Sequence, residues 1–122
     1  MAITLTTAGR NILADAFGDE FDSGTIEFQT AGDVEVATVT FNATAFGAPA
    51  TGVVTAGAIV SDTSATGGVI EHATWKTAAT TAMVECTVTA TGGGGDITIP
   101  TLTIGAGSTV GMSSLTWTQP AS

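Results

Sequence analysis

The apolar positions of the chain change period once. Between Thr6 and Phe17, the residues Ala8, Ile12, Leu13, Ala16 and Phe17 recur at three- and four-residue steps, the spacing of one helical face. Thr6 or Thr7 supplies an N-cap, and Gly18 stands where a left-handed residue would stop the helix. A helix is therefore predicted over about 6–17, followed by an acidic turn containing Asp19, Glu20 and Asp22. From residue 25 the period drops to two. Ile26 and Phe28 alternate with Thr25, Glu27 and Gln29, and residues 34–41 form a β-branched run with apolar side chains in both phases. Residues 51–60, 69–76 and 82–91 continue the pattern, the last around Val84, Cys86 and Val88.

The final stretches, 97–104 and 108–118, read as a strand pair joined at Gly105–Gly107, but each slips phase. Ile97 and Ile99 are odd-numbered and Leu102 and Ile104 even, with Pro100 between; Val110 and Met112 are even and Leu115 and Trp117 odd, with Ser113 and Ser114 between. A one-residue slip turns every later side chain to the other face, so a bulge is predicted at each break. About seven strands between Gly- and Ser-rich turns predict an all-β chain. The expected architecture is a single domain over 1–122, an antiparallel β-sandwich with one short N-terminal α-helix.

Composition sharpens this. Thr, Ala and Gly make up half of the 122 residues, whereas Leu, Ile, Val and Phe together number 27. The core will be thin, and burial against further copies or a partner is expected to complete it. A cyclic homo-oligomer, most simply a trimer, fits that need. The formal net charge is −9, and the cations are Arg10 and Lys76. Two cations cannot neutralise a row of phosphates or hold an anionic bilayer, so neither nucleic acid nor membrane is an expected partner. No apolar run approaches the roughly 20 residues of a membrane span, and Met1–Thr7 lacks the regions of a signal peptide.

Candidate chemistry is sparse. His72, the one histidine, sits mid-strand near Trp75, with no Gly-x-Ser-x-Gly elbow anywhere in the chain. Cys86, the one cysteine, shares a face with Val84 and Val88 and has no basic neighbour in sequence to activate it. One His and one Cys fall short of a zinc ligand set. Asp19, Glu20 and Asp22 lack calcium-loop spacing and read as a solvated turn; Asp33 and Glu35 read likewise. Gly92–Gly95 lacks the lysine and following helix of a phosphate loop. Trp75 and Trp117 alternate with strand neighbours, as core or contact residues do, and sugar stacking is the lesser reading. No catalytic, cofactor or metal site is predicted. The residues offered instead as contacts between subunits are Ile3, Leu5, Phe21, Phe46, Met112 and Trp117, with Met1–Leu5 as an uncharged arm able to join a neighbour's sheet edge.

Several stretches resemble a family of short structural proteins encoded by tailed bacteriophages. They are Leu5–Asn11, Thr25–Phe41, Ala45–Ala48, Ile59–Thr63, Ala65–Gly68, Leu102–Gly107 and Leu115–Ser122; Lys76–Thr81 departs from the charged turn of that family. The resemblance implies a non-enzymatic head decoration, or cement, protein. Such a protein is made in the host cytoplasm, sits on the outside of the capsid and binds the major capsid protein. A tail or fibre component is the alternative that it leaves, and a glycan-binding adhesin module the next.

Overall fold

The computed structural model describes residues 3–121. Its elements are α1 (Thr7–Asp19), β1 (Thr25–Gln29), β2 (Glu35–Thr40), β3 (Val53–Thr55), β4 (Gly68–Val69), β5 (His72–Lys76), β6 (Ala82–Ala90), β7 (Ile97–Ile99), β8 (Thr103–Ile104) and β9 (Thr116–Thr118). The chain is thus mostly β with one helix. Thr6 caps α1 as expected, its Oγ1 accepting from the Gly9 N–H at 3.2 Å.

The far end of the helix departs from expectation. Gly18 is helical and buried, and α1 runs on to Asp19 before three-residue turns carry it into Phe21. Gly18 is small for a packing reason: a Cβ there would lie 3.2 Å from the Cβ of Phe46. The buried face is also not the predicted one. Ala14 and Gly18 let the helix approach the core closely, while Asn11 Oδ1 accepts from the Gly52 N–H at 2.7 Å and Arg10 Nε donates to the Gln119 carbonyl at 2.9 Å. Those tethers and small residues fix the rotation of α1. Ile12 is left 70% exposed and Leu13 44%.

Five strands form one curled sheet, a half-barrel in the order β2-β1-β5-β6-β7. β1 pairs antiparallel with β2 and β5, so that Ile26 lies between Val39 and Trp75, and Phe28 between Ala37 and Ala73. β5 and β6 continue antiparallel, with Trp75 opposite Val84 and Ala73 opposite Cys86. One face of the sheet is therefore apolar. The other carries a tied polar row: Lys76 Nζ to Glu27 at 2.7 Å, Gln29 Nε2 to Glu27 at 2.9 Å, and Thr74 Oγ1 to Gln29 at 3.0 Å.

β7 runs parallel to β6, which differs from an all-antiparallel layout. Parallel neighbours ordinarily need a crossover of about a dozen residues or more. Here 91–96 suffice, and the glycine run explains how. Gly92 and Gly94 take φ of +91° and +78°, while a Cβ on Gly93 or Gly95 would meet Thr89 at 2.7 or 2.8 Å. Gly92–Gly95 is a fold element, folded back onto β6.

The two phase slips mark changes of partner, not bulges within long strands. After Pro100 the chain leaves the five-stranded sheet, and β8 pairs with β4. Val110 bridges Asp62, and beyond Ser113 and Ser114 the chain becomes β9, paired with β3. The stretches 97–104 and 108–118 do not pair with each other. Register shifts occur instead at Phe28/Gln29 and Trp75/Lys76. The core is filled by rings: Phe17, Phe21, Phe41, Phe46, Trp75 and Trp117 touch in a chain of contacts with centroids 4.9 to 6.4 Å apart. The chain exposes 6434 Å², near the roughly 6,000 Å² of a compact monomer of this mass. A few large rings close what the thin aliphatic complement does not.

Candidate binding surface

A sheet has two edges, and this one treats them differently. At β2 the segment from Val60 to Gly67 lies alongside. Thr40 and Val60 exchange N–H to C=O bonds of 3.0 and 2.8 Å, Thr38 N–H donates to Asp62 Oδ2 at 2.9 Å, and Gly67 N–H donates to the Val36 carbonyl at 3.1 Å. On the other side, Val88 N–H donates to the Glu71 carbonyl of the chain next to β6. By the two-residue period, Val84 and Cys86 also face β5, and Glu85 and Thr87 face away. Thr87 N–H is taken by Asp96 Oδ2 at 3.1 Å, and β7 begins its pairing only at Val88. The edge around Glu85 has no strand against it among the described residues.

The exposed side of α1 lies beside that edge. The register shift at Trp75/Lys76 leaves Met83 as an extra residue on β6. Met83 is 42% exposed and, with Leu13, Ala16, Phe17, Glu20, Trp117 and Gln119, lines an open groove of about 680 Å³. Phe17 and Trp117 form its floor, their rings 4.9 Å apart, and the Trp117 indole N–H is buried there without an acceptor among the described residues.

The groove's charge is one-sided. Glu20 lines it, Asp15 and Asp19 lie exposed on α1, and Glu85 lies exposed on the edge. The carboxylate of Asp15, then slight desolvation, then Asp22 and Glu20 push the Asp19 carboxyl above its ordinary value. Both cations are bonded within the fold, Arg10 to the Gln119 carbonyl and Lys76 to Glu27, and neither side chain lines the groove.

Comparison of the chain with protein-family models, with curated proteins and with solved structures finds no match. What the surface can do therefore rests on its chemistry. It offers apolar contact, an unpaired strand edge and negative charge.

The residues singled out from sequence are scattered. Phe21 and Phe46 are buried in the subunit's own aromatic cluster; Met112 and Trp117 are half-buried; Ile3 is exposed; and Leu5 is half-buried, its N–H donating to the Ala121 carbonyl at 2.7 Å. Of the proposed arm, Met1 and Ala2 lie outside the described residues. Trp117 alone among the six lines the groove.

His72 lies at the polar face of the sheet, Nε2 2.9 Å from Asp33 and Nδ1 3.4 Å from Glu71. No serine, threonine or cysteine hydrogen-bonds to its ring among the described residues. Cys86 is half-buried, and burial pushes its thiol above the ordinary value. Among the described residues no three His, Cys, Asp or Glu side chains are placed to share a metal ion. A second, hydroxyl-rich groove of about 690 Å³ holds Ser61, Thr98, Ser113, Ser114 and Thr116 with Asp96, and no aromatic ring lines it.

Periodicity missed Leu13 and Met83 as surface residues, whereas Glu20, read as part of a solvated turn, is exposed. It assigned Leu13 to the core side of α1, and the bulge that frees Met83 leaves no mark in the alternation of β6.

Proposed function

We propose that this chain is a non-enzymatic structural protein of a bacteriophage virion, a head decoration protein that seats on the outer capsid surface and bridges neighbouring capsid subunits. The observation that carries the reading is the uncovered apolar groove of Leu13, Met83, Phe17 and Trp117 beside a strand edge that has no partner among the described residues. Contiguous apolar surface of this kind marks sites of protein association. The sequence resemblance supplies the setting. In this reading the ladders β3–β9 and β4–β8, whose Val54 and Ile104 pack on the core, serve as the second layer of a sandwich whose first layer is the curled sheet. The net charge of −9 suits an outer face that needs solubility and no contact with packaged DNA.

A decoration protein acts by linkage: it binds the closed lattice and not the separated subunits. Occupancy at about 100 times the dissociation constant stabilises each site by about 2.7 kcal/mol. Particles made without the protein should therefore assemble, then release DNA at a lower temperature than complete ones. Equal release temperatures, with the protein found in purified tails by mass spectrometry, would move the assignment to the tail. Failure to form heads would make it an essential shell component.

A further inference from the structure

We infer that the groove between α1 and the free edge of β6 is a docking site for an extended segment of a different protein, one with alternating apolar residues interspersed with Lys or Arg. It rests on the reading of the chain as one that works by docking, and not on which particle it docks to.

Three features select this occupant. The edge at Glu85 presents backbone groups without a strand partner, which an added strand satisfies along its length. The groove floor of Phe17 and Trp117, walled by Leu13 and Met83, takes the alternate apolar side chains that an added strand points to one face. Glu20 lines the groove, with Asp15 and Asp19 beyond it on the helix, while Glu85, opposite Thr74 on the sheet's other face, lies on the side to which the intervening residues of an added strand point. Charge complementarity therefore calls for cations on the incoming segment. A second copy of this chain fits poorly. It carries −9, and its Arg10 and Lys76 are already bonded within their own fold.

The test uses the full chain and three capped synthetic peptides of about six residues, a typical strand length. They share the same valines at alternate positions and carry Lys, Thr or Glu between them. Titration calorimetry should find the lysine peptide binding at least about tenfold more tightly than the glutamate peptide, with the preference shrinking as salt rises from about 50 to about 500 mM. Binding should slow hydrogen exchange at the Glu85 amide. Leu13→Glu should abolish binding and Glu20→Lys should weaken the lysine peptide selectively, while Val60→Glu, at an exposed apolar position on the covered edge, should change nothing. Near-ultraviolet circular dichroism of the Trp signals confirms that each variant is folded.

Equal binding of the three peptides, or binding undiminished by Leu13→Glu, would overturn the proposal. So would concentration-dependent self-association that Leu13→Glu removes, which would give the groove to a second copy. Virion fractionation is independent of these titrations, so failure here and failure of the virion assignment are told apart.

Discussion

The two edges of the curled sheet solve one problem in opposite ways. At β2 the chain covers its own edge: Val60, Asp62 and Gly67 take up the backbone groups of Thr40, Thr38 and Val36. At β6 the cover stops with Asp96 at Thr87, and the next outward residue, Glu85, is left open beside an apolar groove. An open strand edge is an aggregation hazard that folds ordinarily blunt with charge, bulges or cover. Here a bulge at Met83 and the carboxylate of Glu85 are the blunting devices, and both leave room for a chosen partner. The lesson is that cover was within this fold's means and was applied to one side.

Removing what both edges rest on should have the largest effect. Phe21 is 1% exposed and packs on Phe17, Phe41, Phe46 and Trp75. Phe21→Ala is expected to cost about 3–5 kcal/mol in urea denaturation and to erase the difference between the edges, since both lose their support. Asp62→Ala attacks the covered edge alone. It leaves the part-buried N–H of Thr38 without its acceptor, the exposed Ser64 N–H turning to water, and should cost about 1–2 kcal/mol while leaving binding at the groove unchanged. Gly18→Ala should cost about 1 kcal/mol despite alanine's better helix propensity, because the added methyl meets the Cβ of Phe46, which cannot swing away. It shifts α1, and so should alter the groove before the covered edge.

The smallest effect is one of pH. Burial disfavours charge on Glu27, but hydrogen bonds from Lys76 and Gln29 and the charge of Lys76 outweigh it and hold the carboxyl below its ordinary value of 4.5. A carboxyl depressed in the fold contributes stability that is present above pH 4.5 and is lost as the pH falls below it, through the folded value. Glu27→Gln should flatten that acid limb by under about 1 kcal/mol, as suits a partly exposed pair. The raised carboxyl of Asp19 works in the opposite sense, so Asp19→Asn should steepen the limb.

The β-rich class, the helix and its Thr6 cap were legible because each follows from local spacing. The alternation in 25–29 places Ile26 and Phe28 inward, where the structure has them. The rotation of α1 was not legible. Polar tethers from Arg10 and Asn11 and the smallness of Ala14 and Gly18 decided it, and long-range partners of that kind leave no periodic signal. The phase slips at Pro100 and at Ser113 and Ser114 were visible but ambiguous, since a bulge and a change of partner strand give the same pattern. The glycine run at 92–95 was visible as a loop; that it closes a parallel pairing depends on contacts with Thr89. The surface residues were hidden for the same reason as the helix rotation: Leu13 reads as core until the helix is seen turned away.

Hydrogen exchange of the isolated protein tests the asymmetry of the edges most directly. The Thr40 amide, bonded to Val60, should exchange near the rate set by global unfolding, and the Glu85 amide at least about 100-fold faster. Comparable protection of Glu85 and Thr40 would mean that the β6 edge is covered in solution, and would contradict the open edge on which the docking surface depends.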